Sequence, residues 1–357
     1  MKIWQRYFLK ELFKIFAFFL LAFFFLYAVL DYSTHMDNFF KEKNLQIGQL
    51  LRYYLHHFLK RADFLLPLAA LVACIKVLTQ FNTSRQWMAL QVAGLRTRTL
   101  LKPFFFLAFL CALFNYANFQ YFLPTALSSI ESFDAEHFKH SHRAKQKEVM
   151  QILHLRDNSK LLYQSYDTEK DALFDVLWVR SPADIWRMKY LNANPANPNA
   201  QYVDHLALNK EGFLEKVESF DAQSFPDLKW HPRMKGRVNI PFENYSLKAL
   251  YNLLHSDKTT PFEIPKIQSN LYFKIAIPLL SFLVILGMAP FCIIFSRQQN
   301  PFYLYALGLF GLFAVYTILD TSVILGEHAV LSPLVALFGP LALLASLFTF
   351  NYFRKTT

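Results

Sequence analysis

Few residues in this chain could do chemistry, and none has a spacing known from catalytic or nucleotide-binding sites. The loops Gly-x-x-x-x-Gly-Lys and Gly-x-Gly-x-x-Gly, which cradle phosphates, do not occur. No serine or cysteine lies in a nucleophile-elbow sequence. We therefore expect the chain neither to bind a nucleotide by itself nor to carry a hydrolytic triad of that kind.

Histidines form the cluster that most resembles a metal site. Five acidic and histidine residues follow the third apolar run: Asp134, Glu136, His137, His140 and His142. A metal ion needs ligands on one face in a fixed geometry, whereas a solvated basic segment would contain the same residues. His56 and His57 are adjacent, so they point to different sides of a helix. We expect no metal at either place.

Ionisable residues within or beside apolar runs are better candidates, because burying a charge in a membrane is costly. Four residues qualify: Asp31, Lys76, Lys274 and Asp320. Solvation at a helix end explains each of them equally well, and Lys76 could extend its ammonium group to the interface. Tyr316 lies one turn before Asp320 and shares its helix face.

The composition predicts that membrane-spanning segments position these residues. Hydrophobic residues make up 54% of the 357 residues and aromatic residues 17%. Soluble domains are usually about 45–50% apolar, so the chain is expected to cross a membrane several times. The net charge of +11 arises mostly beside apolar runs, where basic residues anchor spans, and we expect no nucleic-acid partner. All three cysteines lie inside spans, which excludes a disulfide framework.

Six apolar runs are long enough to cross a bilayer. They cover residues 13–30, 64–80, 103–123, 271–295, 301–325 and 329–353. The first run is too long for a signal-peptide core and lacks a cleavage site. Lysine and arginine concentrate in the short segments on one side, which predicts cytoplasmic termini. The basic loop 32–63 is a mild exception, and Pro124 marks the predicted end of the third span.

Residues 125–270 differ from the rest, because charges are frequent and apolar runs shrink to strand length. The stretches rich in β-forming residues are 161–166, 176–180, 187–191, 202–208, 213–220 and 237–240. Asn209-Lys210-Glu211-Gly212 is a good hairpin turn. The sequence therefore predicts a six-span helical membrane protein with an antiparallel β domain in the periplasm. Its parts are a membrane half at 1–124, the β domain at 125–270 and a membrane half at 271–357.

A short helix is predicted at 83–94, between the second and third spans. Side-chain oxygens for its first free amides come from three residues: Asn82, Thr83 and Ser84. Gly94 suits the left-handed residue that ends a helix, and Trp87 and Leu90 lie on one face. Such a helix either docks against a partner or lies among lipid headgroups, and the residues leave both open.

Several short sequences, in a fixed order, carry a family resemblance. They are Arg6-Tyr7, Leu65-Leu66-Pro67-Leu68, Met88-Ala89-Leu90-Gln91-Val92-Ala93-Gly94-Leu95, Ser246-Leu247-Lys248-Ala249-Leu250, Lys274 with Pro278, and Met288-Ala289-Pro290-Phe291. Together with the plan of three spans, a β domain and three spans, they resemble the LptF/LptG (YjgP/YjgQ) permeases over nearly the whole chain. Tyr316-Thr317-Ile318-Leu319-Asp320 is more similar to the LptG branch.

The resemblance implies a permease subunit of the ABC transporter that extracts lipopolysaccharide from the bacterial inner membrane and passes it to a periplasmic bridge protein. It implies a β-jellyroll outer domain, a sister permease subunit and a cytoplasmic ATPase dimer. ATP and Mg²⁺ would be bound by the ATPase, so this chain is expected to be no enzyme and to need no cofactor. Lipid would pass between span one of one subunit and span five of the other.

The resemblance also assigns residues. The ATPase would contact Arg85, Gln86, Trp87, Leu90 and Gly94. The family usually has Glu where this chain has Gln86, so a charge-assisted contact becomes a neutral one and coupling depends more on Trp87 and Leu90. The substrate would contact Asp31, Lys41, Lys43, Tyr316 and Asp320. Asp31 stands where relatives often carry a basic residue for lipid phosphates, and Lys41 and Lys43 are the substitutes.

Two rival functions remain open from the residues alone. A membrane-embedded enzyme acting on lipid-linked sugars would need paired carboxylates or a metal site at one membrane face, and no closely spaced pair occurs. A scaffold that presents its outer domain would need only one span. Copurification of an ATPase with the chain separates these functions.

Overall fold

The computed structural model describes residues 3–41, 47–137, 151–155, 157, 159–167, 171–181, 183–192, 198–209, 213–228, 242–256, 261, 263–293 and 301–356. The chain forms two compact units. The helical unit comprises Met1–Phe133, Phe242–Asn252 and Pro265–Thr357. The β unit comprises Asp134–Pro241 and Leu253–Ile264.

The helical unit contains the six predicted spans. The first half has α1 (Ile3–Lys41), α2 (Ile47–Thr83), α3 (Gln86–Val92), α4 (Thr97–Leu100), α5 (Lys102–Ala117), a π-helical turn (Asn118–Phe122) and α6 (Leu123–His137). The second half has a 3₁₀ turn (Phe242–Asn244), α7 (Leu247–Leu254), α8 (Ile264–Ala276), a 3₁₀ turn (Ile277–Leu279), α9 (Leu280–Ile293), α10 (Pro301–Glu327) and α11 (Pro333–Thr356). Within the described ranges, six helices are long and apolar enough to cross a membrane, which confirms the prediction.

These helices make up spans one to six. Spans one and two are α1 and α2. Span three is α5, the π-helical turn and α6 together, and span four is α8, its 3₁₀ turn and α9. Spans five and six are α10 and α11. The predicted loop at 32–63 is wrong, since span one continues to Lys41 and span two begins at Ile47. The start of span two has its own buried side chains, among them Tyr53 and Ala62, and these favour a helix there.

Span three does not end at Pro124. Proline lacks an N–H and its ring clashes with the preceding helical turn, so a helix interior normally tolerates it poorly. Here the wider π-helical turn Asn118–Phe122 comes directly before it, and the helix continues to His137. The Asn118 side-chain amide donates to the Leu59 carbonyl at 2.8 Å, which fastens this turn to span two. The two units meet in sequence at Phe133, beyond Pro124.

The β unit contains one antiparallel sheet. Its strands are β1 (Gln151–His154), β2 (Lys160–Asp167), β3 (Ala172–Ser181), β4 (Asp184–Asn192), β5 (Asn199–Leu208) and β6 (Leu214–Ser224). Among the described strands, neighbours in the sheet are also neighbours in sequence, so this part is a meander. Five predicted strands are present, and β1 was not predicted. The stretch 237–240 and turn residues 210–212 lie outside the described residues.

Apolar side chains from successive strands form the core of the β unit. Trp178 on β3 pairs in register with Leu161 on β2 and Trp186 on β4. Its indole N–H donates to the Ser159 hydroxyl at 3.0 Å, so the one polar atom of this buried ring is satisfied. Phe225 closes the core with an edge-on contact to both tryptophans.

An ion pair joins β5 to β6. The Lys216 ammonium lies 2.7 Å from the Asp204 carboxylate, and the Ser219 hydroxyl donates to the same group. These two hydrogen bonds, Lys216 first, lower the pKa of Asp204. Because the folded pKa is the lower one, the stabilisation is present above the ordinary carboxyl pKa and is lost as pH falls through the folded value.

The first prediction concerns this core. Trp178→Ala removes a fully buried ring, and we expect a loss of about 3–5 kcal/mol in the free energy of unfolding. The control is Phe213→Ala, because this ring is 69% exposed on the same unit, and its loss should stay within about 0.5 kcal/mol. Chemical denaturation of the detergent-solubilised chain measures both. Similar losses for the two variants would contradict the assignment of the core.

Candidate functional site

The predicted helix at 83–94 is present as the shorter helix α3, and its predicted N-terminal caps are wrong. The hydroxyls of Thr83 and Ser84 donate back to the Gln80 carbonyl at 3.0 and 2.8 Å, so they close the end of span two. No side chain caps α3. Arg85, directly before it, adopts the left-handed conformation with φ 61°. The chain therefore turns sharply between span two and α3.

The end of α3 agrees with the prediction. Gly94 is left-handed with φ 85°. Its N–H donates to the Gln91 carbonyl, and the Leu95 N–H donates to the Leu90 carbonyl. This pair of bonds is the Schellman arrangement, which glycine adopts without strain. The role predicted for Gly94 as the end of the helix is confirmed.

The two faces of α3 differ in a way that the sequence does not predict. The Trp87 indole is 2% exposed and stacks on Phe8 of span one, with ring centroids 6.5 Å apart. Leu90 is half-buried beside the same core. Exposed residues on and beside α3 include Arg85, Gln86, Met88, Gln91 and Val92. Trp87 thus faces the core of its own chain in this conformation, and its predicted contact with an ATPase stays a prediction.

Contacts after α3 fasten it to span six. The Gln91 side-chain amide donates to the Thr97 hydroxyl at 3.1 Å, which links α3 to α4. The Arg98 guanidinium on α4 lies 4.7 Å from the centre of the Phe353 ring on span six. Cation–π contacts of this kind are worth about 0.5–1 kcal/mol at exposed sites. The segment from α3 to α4 is therefore held by spans one, two and six.

The candidate substrate residue Asp31 lies on span one. Its carboxylate is 3.7 Å from the His35 ring one turn later. Lys41 and Lys43 were predicted as substitutes for the phosphate-binding role, but the Lys41 side chain and the whole of Lys43 lie outside the described residues. Asp31 therefore contacts its own helix, and its role in binding substrate stays a prediction.

Tyr316 on span five pairs with an acid that sequence reasoning missed. Its hydroxyl donates to the Asp63 carboxylate at 2.9 Å, and the Phe64 backbone N–H donates to the other carboxylate oxygen, also at 2.9 Å. Asp320 lies one turn further along and is exposed. Asp63 directly precedes the second apolar run, so the rule on charges beside spans could have found it.

Polar residues on span two connect these positions. His57 is hydrogen-bonded to the Tyr27 hydroxyl of span one at 3.1 Å. The Arg61 guanidinium lies 5.9 Å from the centre of the Tyr27 ring. Span two therefore contacts span one through His57 and Arg61, and it contacts span five through Asp63. Polar groups line the places where spans one and five meet span two.

The two candidate lysines differ. Lys274 is 3% exposed and its ammonium donates to the carbonyls of Glu243 and Tyr245, at 2.7 and 2.5 Å. This buried charge fastens the segment ahead of α7 to span four. Lys76 is exposed, as expected of a side chain that reaches the interface. Lys274 thus has a structural partner that the sequence did not predict.

Metal ligands do not come together in the part of the chain that is described. No group of three or more His, Cys, Asp and Glu side chains could hold a metal ion there. His140, His142 and the side chain of His137 lie outside this part. The expectation that the histidine cluster holds no metal therefore stays a prediction.

A known protein family matches nearly the whole chain. The profile of the family described as lipopolysaccharide export system permease LptF/LptG matches residues 6–354. The chain belongs to the LptF/LptG family. As an LptF/LptG protein it is a multi-pass transport permease of the inner membrane in the lipopolysaccharide export system. A search of curated proteins gave no match.

The second prediction concerns the link between spans two and five of this LptF/LptG permease. Tyr316→Phe leaves the Asp63 carboxylate without its donor from span five, and we expect a loss of about 1–3 kcal/mol in unfolding free energy. Thr317→Val is the control, because that hydroxyl bonds only within its own helix, to the Phe313 carbonyl. Thermal unfolding in detergent measures the stability of both variants relative to the unmodified chain. Unchanged stability of Tyr316→Phe would show that the bond does not hold the spans together.

Proposed function

We propose that this permease couples ATP hydrolysis in a cytoplasmic ATPase dimer to the extraction of lipopolysaccharide, which it passes to a periplasmic bridge protein. The observation that carries this proposal is α3, a short helix with exposed side chains that is held firmly between two spans. ATP and Mg²⁺ would be bound by the ATPase. In this arrangement both termini and α3 lie in the cytoplasm, and the β unit lies in the periplasm.

The exposed face of α3 suits a docked partner. Met88 and Val92 are apolar and lie four residues apart, hence on one side, and Val92 is 89% exposed. Gln86 and Arg85 supply polar groups beside them. An apolar centre with a polar rim is the usual composition of a protein–protein contact. Leu90 and Gly94 would support this face from within, Leu90 by packing and Gly94 by ending the helix.

Unequal burial of the spans supports pairing with a sister permease. In the apolar stretches of spans two and four, 78% and 72% of the residues are buried, against 11% for span one and 28% for span five. Spans one and five therefore have large apolar faces that their own chain leaves uncovered, as does span six, with 17% buried. The sister subunit would cover part of these faces, and the lipid would enter where they meet.

Residues beside this proposed entry would select the lipid. Asp31 lies on span one, and Tyr316 and Asp320 lie on span five. Lys41 and Lys43 follow at the periplasmic end of span one, where phosphates of the lipid headgroup would lie. Since Tyr316 donates to Asp63 here, its hydroxyl would reach a substrate only by exchanging that partner.

The sheet would receive the acyl chains and hand them on. Its inner face is apolar, with Trp178, Met188 and Val203 buried. Strand β6 is paired only with β5 among the described strands, and Val217 on it is 58% exposed. A strand edge of this kind can pair with a strand of another protein, here the bridge protein.

The third prediction tests the ATPase contact. Val92→Asp places a charge in the centre of the proposed contact, and we expect ATPase copurification to weaken at least about tenfold, or about 1.4 kcal/mol. The control is Val330→Asp, an exposed valine in the turn between spans five and six. Pull-down from membranes measures both. Retention of the ATPase by Val92→Asp, or its absence with the unmodified chain, would argue against this function.

The fourth prediction concerns lipid recruitment. Each cation near an anionic surface is worth about 1 kcal/mol, so Lys41→Gln with Lys43→Gln should raise the lipid concentration for half-maximal ATPase stimulation by up to about 30-fold. Basal hydrolysis should not change, and salt should reduce the difference. The comparison variant combines Lys145→Gln with Lys147→Gln. These two lysines belong to a second basic cluster, which also contains Lys139 and Arg143. If neither pair shifts the lipid dependence at low salt, recruitment uses other residues.

A further inference from the structure

An aromatic stack joins α3 to the N-terminal end of span one and the C-terminal end of span two. The Trp87 ring of α3 is nearly parallel to the Phe8 ring of span one, at 18° and 6.5 Å between centroids. Phe8 in turn stacks on Phe81 of span two, at 25° and 4.2 Å. All three rings are at most 2% exposed. The only side chain of α3 that is fully buried therefore contacts span one.

Span one depends on this end of the unit for its attachment. Among its described side chains, only Phe8 and Leu12 are buried, and they lie one turn apart near its N-terminal end. Further along, the contacts are lighter, such as the Phe24–Phe58 ring pair at 5.1 Å and the Tyr27–His57 hydrogen bond. Beyond Leu12, span one packs against the core through partly buried side chains such as Phe16, Leu20 and Phe23, so a displacement would be opposed less there than at its fully buried N-terminal end.

Stacked rings transmit displacement because close-packed interiors are hard to compress. Trp87 and Phe8 belong to the same buried cluster, so a movement of Trp87 towards span one is expected to move Phe8. Phe81, near the end of span two, also stacks on Phe8. The well-packed span two would stay in place while the lightly packed span one moves.

We propose that the stack of Trp87, Phe8 and Phe81 is the element through which α3 moves span one. Trp87 is then a positioning residue that acts on span one and not a contact of the ATPase. This inference rests on the proposed function, because it requires an ATPase that displaces α3. It assigns the two sides of α3 to different tasks, with Met88 and Val92 on the docking side and Trp87 on the transmitting side.

The test uses the complete complex reconstituted in lipid. Trp87→Leu and Phe8→Leu each keep an apolar side chain but remove the stack. We expect both to retain the ATPase and basal hydrolysis, and to lower lipopolysaccharide release per ATP at least tenfold. The double variant should be no worse than either single one, because both remove the same element. Trp87→Phe should recover most of the release.

A distance measurement separates transmission from general damage. Spin labels at exposed positions of spans one and six should change their separation when ATP binds, and this change should disappear in Trp87→Leu. Phe350→Leu, the same substitution at an exposed ring of span six, should leave release and the distance change intact.

Three results would overturn the inference. Loss of the ATPase from Trp87→Leu would show that docking needs Trp87, directly or through the order of α3, and would overturn the assignment of the two sides of α3 to different tasks. Normal release per ATP in both single variants would show that the stack transmits nothing, and so would a persistent distance change. In each case the unmodified complex still retains its ATPase and exports lipid. Absence of the ATPase from the unmodified complex would instead overturn the proposed function and this inference together.

Discussion

Close packing of spans two and four is the constraint on which the helical unit depends. Lipid tails are as apolar as leucine, so helices in a membrane are held together by tight contact more than by removal from water. Small residues permit this contact, and span two buries five of them completely: Ala62, Ala69, Ala70, Ala73 and Cys74. Gly308 of span five continues the pattern, since a Cβ there would lie 3.0 Å from Ile75 and Leu71. The remaining spans pack around this pair with decreasing burial.

Polar groups inside the helical unit follow from the same constraint. A donor or acceptor without a partner is costly in hydrocarbon, so the protein must supply partners. Lys274 finds two backbone carbonyls, Tyr316 finds Asp63, and Asn118 finds the Leu59 carbonyl. Each pair joins segments that are far apart in sequence. The polar contacts thus fix which helices are neighbours, while the small residues fix how near they come.

The sequence predicts what depends on local pattern. Six apolar runs, five of the strands and the helix-ending role of Gly94 follow from composition, alternation and backbone preference, and all are present. The strand β1 is too short, at four residues, for alternation to mark it. The continuation of span three through Pro124 depends on the π-helical turn before it, and no simple residue pattern predicts such a turn.

For the candidate site, the sequence predicts the helices that carry it but not the direction in which their side chains face. Trp87 and Leu90 share the predicted face, but periodicity does not say whether that face turns inward or outward. The answer depends on Phe8, which lies nearly eighty positions earlier in the chain. Asp63 escapes a sequence-based prediction for a related reason: the second apolar run begins only at Phe64, and the hydrogen-bond partner of Asp63 comes from span five.

The inward turn of Trp87 has a consequence for α3 as a whole. A helix of seven residues is too short to be stable alone, so its order must come from tertiary contacts. Trp87 supplies the largest of these, which means that the docking face is rigid because the opposite face is buried. A substitution on the proposed docking face, for example at Gln86, would then leave the buried contact undisturbed. Under the proposed function, affinity for the ATPase and transmission to span one would thereby be set by different side chains of one short helix.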